Sequence, residues 1–155
     1  MILGQFLIGS QNYGLDLPQS DRDYYTIVMP NVTQLFSCEK ITRKADEWNM
    51  IQDIREFSRL LLKGNPNYWE MLYSIDKTYY FPFFEEINTI TKRHSGAVLR
   101  ENWSTFTKAS YGKVLTGINK EFNLKNISRF LYFYEMNKKL YEANGEMSFS
   151  IWRGP

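Results

Sequence analysis

An apolar run from Ile2 to Ile8 ends on Gly9-Ser10, and a short loop later Asp21 and Asp23 open a second β-rich run, Tyr24-Tyr25-Thr26-Ile27-Val28-Met29. That order commits the chain to a buried strand, a tight turn, a loop and a second strand. Glycine lets a backbone approach an anion closely. The serine hydroxyl and the neighbouring backbone N–H groups can donate to its oxygens, so the turn reads as a phosphate site. Side chains two apart on a strand share a face, which aims both aspartates the same way. Two like charges held that close repel unless a cation sits between them, and a hard-oxygen cation such as Mg²⁺ suits them. Asp and Ser are also common turn residues, and an isolated Asp-x-Asp says little. The weight lies in the whole succession of strand, Gly-Ser turn, loop, Asp-x-Asp and strand.

Further along, Pro18, Pro30 and Asn31 punctuate short apolar runs, predicting strands near residues 2–8, 23–29 and 47–51 and a short helix around 32–37. From Gln52 the period changes to that of a helix, with Ile54, Phe57 and Leu61 on one side and Gly64 then Pro66 as a stop. A second helix is expected from Pro66 through Ser74. Later ones are expected over Pro82 to His94, Asn102 to Asn119 and Leu124 to Asn144, the last capped by Gly145. The expectation is one α+β domain over 1–155, with a small mixed sheet in about 1–52 and helices in about 53–155.

The residues quoted so far resemble the DNA polymerase β-like nucleotidyltransferase superfamily. Within it, Gly9-Ser10-x-x-Tyr13-Gly14-Leu15 with Ser20-Asp21-x-Asp23 is similar to the predicted nucleotidyltransferase branch associated with RNA repair and also found in phages. A second block, Asp53-Ile54-Arg55-Glu56-Phe57 leading to Lys63-Gly64-Asn65-Pro66-Asn67 and then an acidic residue before Leu72, resembles the same branch. A looser third block is Lys125 to Arg129, followed by Gly145-Glu146-Met147.

The resemblance implies a metal-dependent nucleotidyltransferase. A nucleoside triphosphate would lie against Gly9, Ser10 and Tyr13, and Asp21 and Asp23 would hold Mg²⁺ or Mn²⁺. Lys63, Lys125 and Arg129 would offset phosphate charge, with Arg55 a further cation. A third carboxylate is expected to complete the catalytic set. Trp48, Asn49 and Met50 stand where the branch would place it, leaving Asp46, Glu47 and Asp53 as candidates, with Asp53 fitting a strand-to-helix junction. The acceptor hydroxyl would belong to RNA first and to protein second. The unfilled third position and the altered late helix, Arg129 then Tyr132, keep open a second reading. In that reading the protein is a non-catalytic relative that binds nucleotide, nucleic acid or a partner protein; a third is an interaction protein that retains only a fossil of the motif.

Composition bounds the rest. A chain of 155 residues suits one domain, and a net charge of +2 neither demands nor forbids nucleic acid. Aromatic residues make up 17%, enough that some could stack on bases while most fill a core. Cys38 is the only cysteine, which excludes an intrachain disulfide, and His94 is the only histidine, which argues against zinc or a triad. With no apolar stretch of membrane length, a reducing cytoplasm is the expected home. Base preference and oligomeric state are not encoded in any of these features.

Overall fold

The structure, a computed structural model, describes residues 1–16, 18, 20–44, 49–120 and 122–153, and within them not the side chains of residues 43, 44, 113, 120 and 153. Strand β1 (Ile2–Ile8) runs into a four-residue helix, α1 (Ser10–Tyr13). Strand β2 (Asp23–Val28) then leads to α2 (Val32–Phe36), capped reciprocally by Asn31 and Gln34. Next come β3 (Thr42–Lys44), β4 (Asn49–Asp53), α3 (Ile54–Leu62), α4 (Pro66–Leu72) and β5 (Lys77–Tyr79). Helices α5 (Pro82–Arg93), α6 (Ser95–Glu101), α7 (Trp103–Lys120), α8 (Leu124–Glu142) and α9 (Phe149–Arg153) complete the chain.

The strands form one mixed sheet in the order β3-β4-β2-β1-β5. β1 pairs antiparallel with both β2 and β5, whereas β2 and β4 run parallel, with Tyr24 beside Asn49 and Val28 beside Asp53. Alternation along β2 sends Asp23, Tyr25 and Ile27 to one face and Tyr24, Thr26 and Val28 to the other. Helices cover the first face. There Ile27 is fully buried and the Tyr25 ring lies 6.3 Å from that of Tyr68 on α4. A contiguous apolar cluster runs from Leu3, Phe6 and Ile27 through Phe57, Trp69, Leu72 and Phe84 to Phe106, Phe133, Leu140 and Trp152. Burying each such side chain is worth roughly 1.5–3 kcal/mol. Trp69 is tied down further by its indole N–H, which donates to the Leu61 carbonyl at 3.2 Å.

Most of the expected elements are present, and the fold is α+β with its sheet built mainly from the first third of the chain. Asn65 caps α4, its side chain accepting from the Asn67 N–H at 3.1 Å, and Pro66 fills the first turn where no N–H is needed. Gly145 closes α8 at φ 83°, its N–H donating to the Leu140 carbonyl at 2.9 Å. Five elements depart from the sequence reading. β3 and β5 are three residues each, too short for an alternation pattern; α6 fills the interval between the two helices expected on either side; α1 is a short helix where a tight turn was expected, and α9 follows the expected last helix. β5 also brings a strand from the expected helical half back to the sheet edge. The expected third strand is β4, extended to Asp53; the start assigned to it, at 47 and 48, lies outside the described residues.

Candidate active site

Antiparallel pairing puts Asp23 directly across from Ile8, so the first residue of β2 sits beside the turn that ends β1. At that turn Gly9 has φ 80°, and a Cβ there would stand 3.1 Å from Asp23 Oδ2. A side chain at position 9 is therefore excluded twice, by backbone conformation and by contact with the carboxylate. Burial pushes the Asp23 carboxyl above its usual range and the Asp21 charge pushes it further, while Lys125 and Arg129 pull it back. Turn, Asp pair and the first two turns of α8 therefore meet at one end of the sheet.

The cations deserve a physical reason. Lys125 lies in the first turn of α8, whose N-cap is Asn123, accepting from the Asn126 N–H at 2.9 Å. A lysine there opposes the helix dipole, so capping electrostatics do not explain it. The acidic pair across from it does. Arg129 follows one turn later on the same side.

A buried carboxylate that the second motif block includes, without assigning it a role, holds the turn from behind. Glu70 of α4 is 2% exposed. Its Oε1 accepts the Gly9 N–H and its Oε2 accepts the Tyr13 hydroxyl at 2.6 Å. Its backbone carbonyl takes the Asn12 side-chain amide at 3.3 Å, and the Asn12 oxygen accepts from the Ile75 N–H at 3.0 Å. The Gly9 amide is thus committed to Glu70. A signal for Glu70 exists in the sequence: a single acid among Tyr68, Trp69, Met71 and Leu72 on a helix that is otherwise all core.

Two expected site residues belong elsewhere. Tyr13 is 6% exposed, packed against the rings of Tyr132, Phe133 and Trp152 at 5.1, 5.6 and 5.8 Å. It is a core residue that locks α1 to α8 and α9. Asp53 stands beside Val28, five residues along β2 from Asp23, about 16 Å at strand rise. It caps α3 and is 1% exposed. The Arg55 backbone N–H donates to its Oδ1 at 2.8 Å, and the guanidinium reaches its Oδ2 at 2.5 Å from Nη2 and 3.0 Å from Nε. Burial alone would raise this carboxyl, but the Arg55 hydrogen bonds and charge outweigh it and hold it below its usual range. Asp53 is a structural anchor, and Arg55 is its partner. The candidates Asp46 and Glu47 lie outside the described residues. Lys63 is exposed at the end of α3, where its charge acts with those of Arg59 and Lys40 on Glu56.

Among the described residues, no group of three or more acidic, His or Cys side chains is placed to hold a metal ion. Asp21 and Asp23 offer hard oxygens, carry like charges that raise one another's cost, and form no salt bridge to a described residue. That donor set fits a Mg²⁺ or Mn²⁺ ion that keeps further positions for phosphate oxygens. Outside the site, a groove of about 480 Å³ lined by Thr26, Val28, Asn31, Gln34 and Ile51 lies on the other face of the sheet from Asp23. No described helix is long and apolar enough to cross a membrane.

Compared with known proteins, residues 1–135 match the family model described as the RNA repair pathway DNA polymerase beta family. No curated protein and no solved structure gave a significant match.

Proposed function

The chain belongs to the RNA repair pathway DNA polymerase beta family, whose general chemistry is nucleotidyl transfer, and from that premise we propose a metal-dependent enzyme that moves a nucleoside monophosphate from a triphosphate to a hydroxyl of RNA. The observation that carries the proposal is the meeting of Asp23, Asp21, Lys125 and Arg129 against the Gly9-Ser10 turn. In this reading the Ser10 hydroxyl and N–H donate to phosphate oxygens, positioned by the Glu70 grip on Gly9. Lys125 and Arg129 offset the charge that builds on the departing pyrophosphate, a contribution of fixed positive groups that needs no rearrangement during reaction. Asp21 and Asp23 would hold Mg²⁺ or Mn²⁺, which when bound polarises phosphate oxygens and stabilises in-line displacement. The acceptor hydroxyl oxygen bonds to the α-phosphorus as the bond to the bridging oxygen breaks, releasing pyrophosphate.

A second reading has its own observation. Asp53, the third-carboxylate candidate within the described residues, is taken up by Arg55 and the cap of α3, which favours a relative that binds nucleotide or nucleic acid without turnover. Transfer of label from each α-labelled ribonucleoside triphosphate into total RNA and total protein separates the two. Label in RNA that requires the divalent ion supports the enzyme acting on RNA. Label confined to protein keeps the transferase and replaces its acceptor; nucleotide binding with no label in either fraction supports the second reading.

A further inference from the structure

A second concentration of unbalanced charge lies where β5, α4 and α5 meet. Lys77 Nζ donates to the Ser74 carbonyl at 3.0 Å and the Leu72 carbonyl at 3.4 Å, at the end of α4. Lys92, in the last turn of α5, places its Nζ 5.3 Å from the centroid of the Tyr73 ring. The two amines lie within hydrogen-bond reach of each other. Neither forms a salt bridge to a described residue, and Glu85 is the carboxylate whose charge reaches both. Helix capping accounts for Lys77, whose ammonium satisfies the last carbonyls of α4. The dipole of α5 favours a cation at the place of Lys92 in its last turn, but does not explain why the head group turns back beside a second ammonium. A side chain of that length could carry its head group into solvent, yet it is folded against an aromatic ring and beside a like charge.

The cluster is joined to the strand that ends in the Gly9-Ser10 turn. The Ser74 hydroxyl donates to the Leu7 carbonyl and the Leu7 N–H donates to the Asp76 carbonyl, each at 2.8 Å. Lys77 pairs with Phe6, three residues before Gly9, so the pair lies about 10 Å along β1 from the turn. It approaches from the β5 edge, whereas Lys125 and Arg129 approach from α8.

We propose that Lys77 and Lys92 together hold a backbone phosphate of the acceptor RNA strand, a short distance from the hydroxyl that receives the nucleotide. The proposal rests on the nucleotidyltransferase reading and locates its acceptor. A phosphodiester shares one negative charge over two non-bridging oxygens, an acceptor for each ammonium, and would add to the counter-charge of Glu85. The phosphates of the triphosphate already have Ser10, Lys125 and Arg129, so an anion on the far edge belongs to a separate molecule. The local electrostatics agree: burial, then the neighbouring Lys77, hold Lys92 down to about 8 against the opposing pull of Glu85, so a bound anion would raise it.

The test is fluorescence anisotropy with a labelled single-stranded RNA of roughly ten nucleotides, a length matched to known single-strand site sizes. It is run over a salt series on the intact protein and on Lys92→Gln, Lys77→Gln/Lys92→Gln and Lys92→Arg. Binding of a non-hydrolysable triphosphate analogue and a thermal melt are measured on each. The expected result is a roughly 5–10-fold loss of RNA affinity in Lys92→Gln, with the slope of log K against log salt flattened by about 0.7. Lys92→Arg should retain the affinity, and analogue binding should not move. Unchanged RNA affinity in Lys92→Gln would overturn the proposal. So would an equal loss for RNA and analogue, which would assign the lysines to the triphosphate, or intact protein that binds the analogue and no RNA. Failure of the enzyme reading looks different: RNA binding that depends on Lys92, with no label transferred to any acceptor.

Discussion

Asp23 and Asp53 sit on neighbouring parallel strands of one sheet, at opposite ends, and have opposite electrostatic situations. Asp53 is buried and saturated: three donors of Arg55 and the first turn of α3 consume its charge, and its carboxyl is held low. Asp23 is half-buried beside a second aspartate, forms no salt bridge to a described residue, and is pushed up. A carboxylate whose partners lie within two residues of it is a structural piece. One whose charge is offset only by the more distant Lys125 and Arg129, beside a second aspartate, has room for a cation. On that difference we propose the chemistry at the Gly9 end of the sheet, and sequence position alone would not have separated the two.

The largest effect that would sharpen this contrast is on catalysis. Asp21→Ala/Asp23→Ala should reduce label transfer by about 10³-fold or more while the circular dichroism melt still shows a folded protein. Glu70→Ala comes next, because it strands the Gly9 N–H and the Tyr13 hydroxyl in the interior. A loss of about 2–4 kcal/mol in urea denaturation is expected, with most of it recovered in Glu70→Gln, which keeps an acceptor for Gly9. Asp53→Ala should cost about 1–3 kcal/mol through the lost cap and the unpaired Arg55, with activity per folded molecule nearly unchanged.

The same residue sets a pH dependence. The folded carboxyl of Asp53 is depressed, so its contribution is present above the unfolded value near 4 and disappears as pH falls through the folded value. Stability on the acid side should therefore fall less steeply in Asp53→Asn than in the parent, measured as Tm from pH 6 downward. The smallest effect has the opposite sign. Asp21→Asn removes the like charge beside Asp23 and should raise Tm by about 1–2 °C in EDTA, a gain of roughly 0.5 kcal/mol. A lower Tm in that variant would break the contrast, since it would mean that Asp21 is satisfied by the fold as Asp53 is.

Much of this was legible in the chain. β1 follows from a mostly apolar run and β2 from β-branched and aromatic residues, α3 and α4 from helical spacing with Gly64 and Pro66 between them, and the closing turn of α8 from Gly145. Gly9, Ser10, Asp21 and Asp23 could be singled out because the geometry that groups them is local: one strand end, one turn and one hairpin partner. What was hidden depends on long-range pairing. Glu70 meets Gly9 across 61 positions; its place as the one acid on a core helix marks it as unusual, but nothing near it names Gly9 as its partner. Asp53 was ambiguous for the reverse reason. Its place before a helix suits a catalytic junction and an N-cap equally well, and only the register of β4 against β2 decides between them. Tyr13 lay inside a recognisable motif, yet its ring serves the aromatic core, because motif membership reports position and says nothing of the direction a side chain faces.

The most direct test of the contrast is label transfer from an α-labelled ribonucleoside triphosphate with Mg²⁺, compared between Asp23→Asn and Asp53→Asn at equal concentrations of folded protein. Loss of label in the first with near-parent label in the second is the expected result. Equal loss in both, or label that survives Asp23→Asn, would contradict the assignment of the chemistry to the Gly9 end of the sheet.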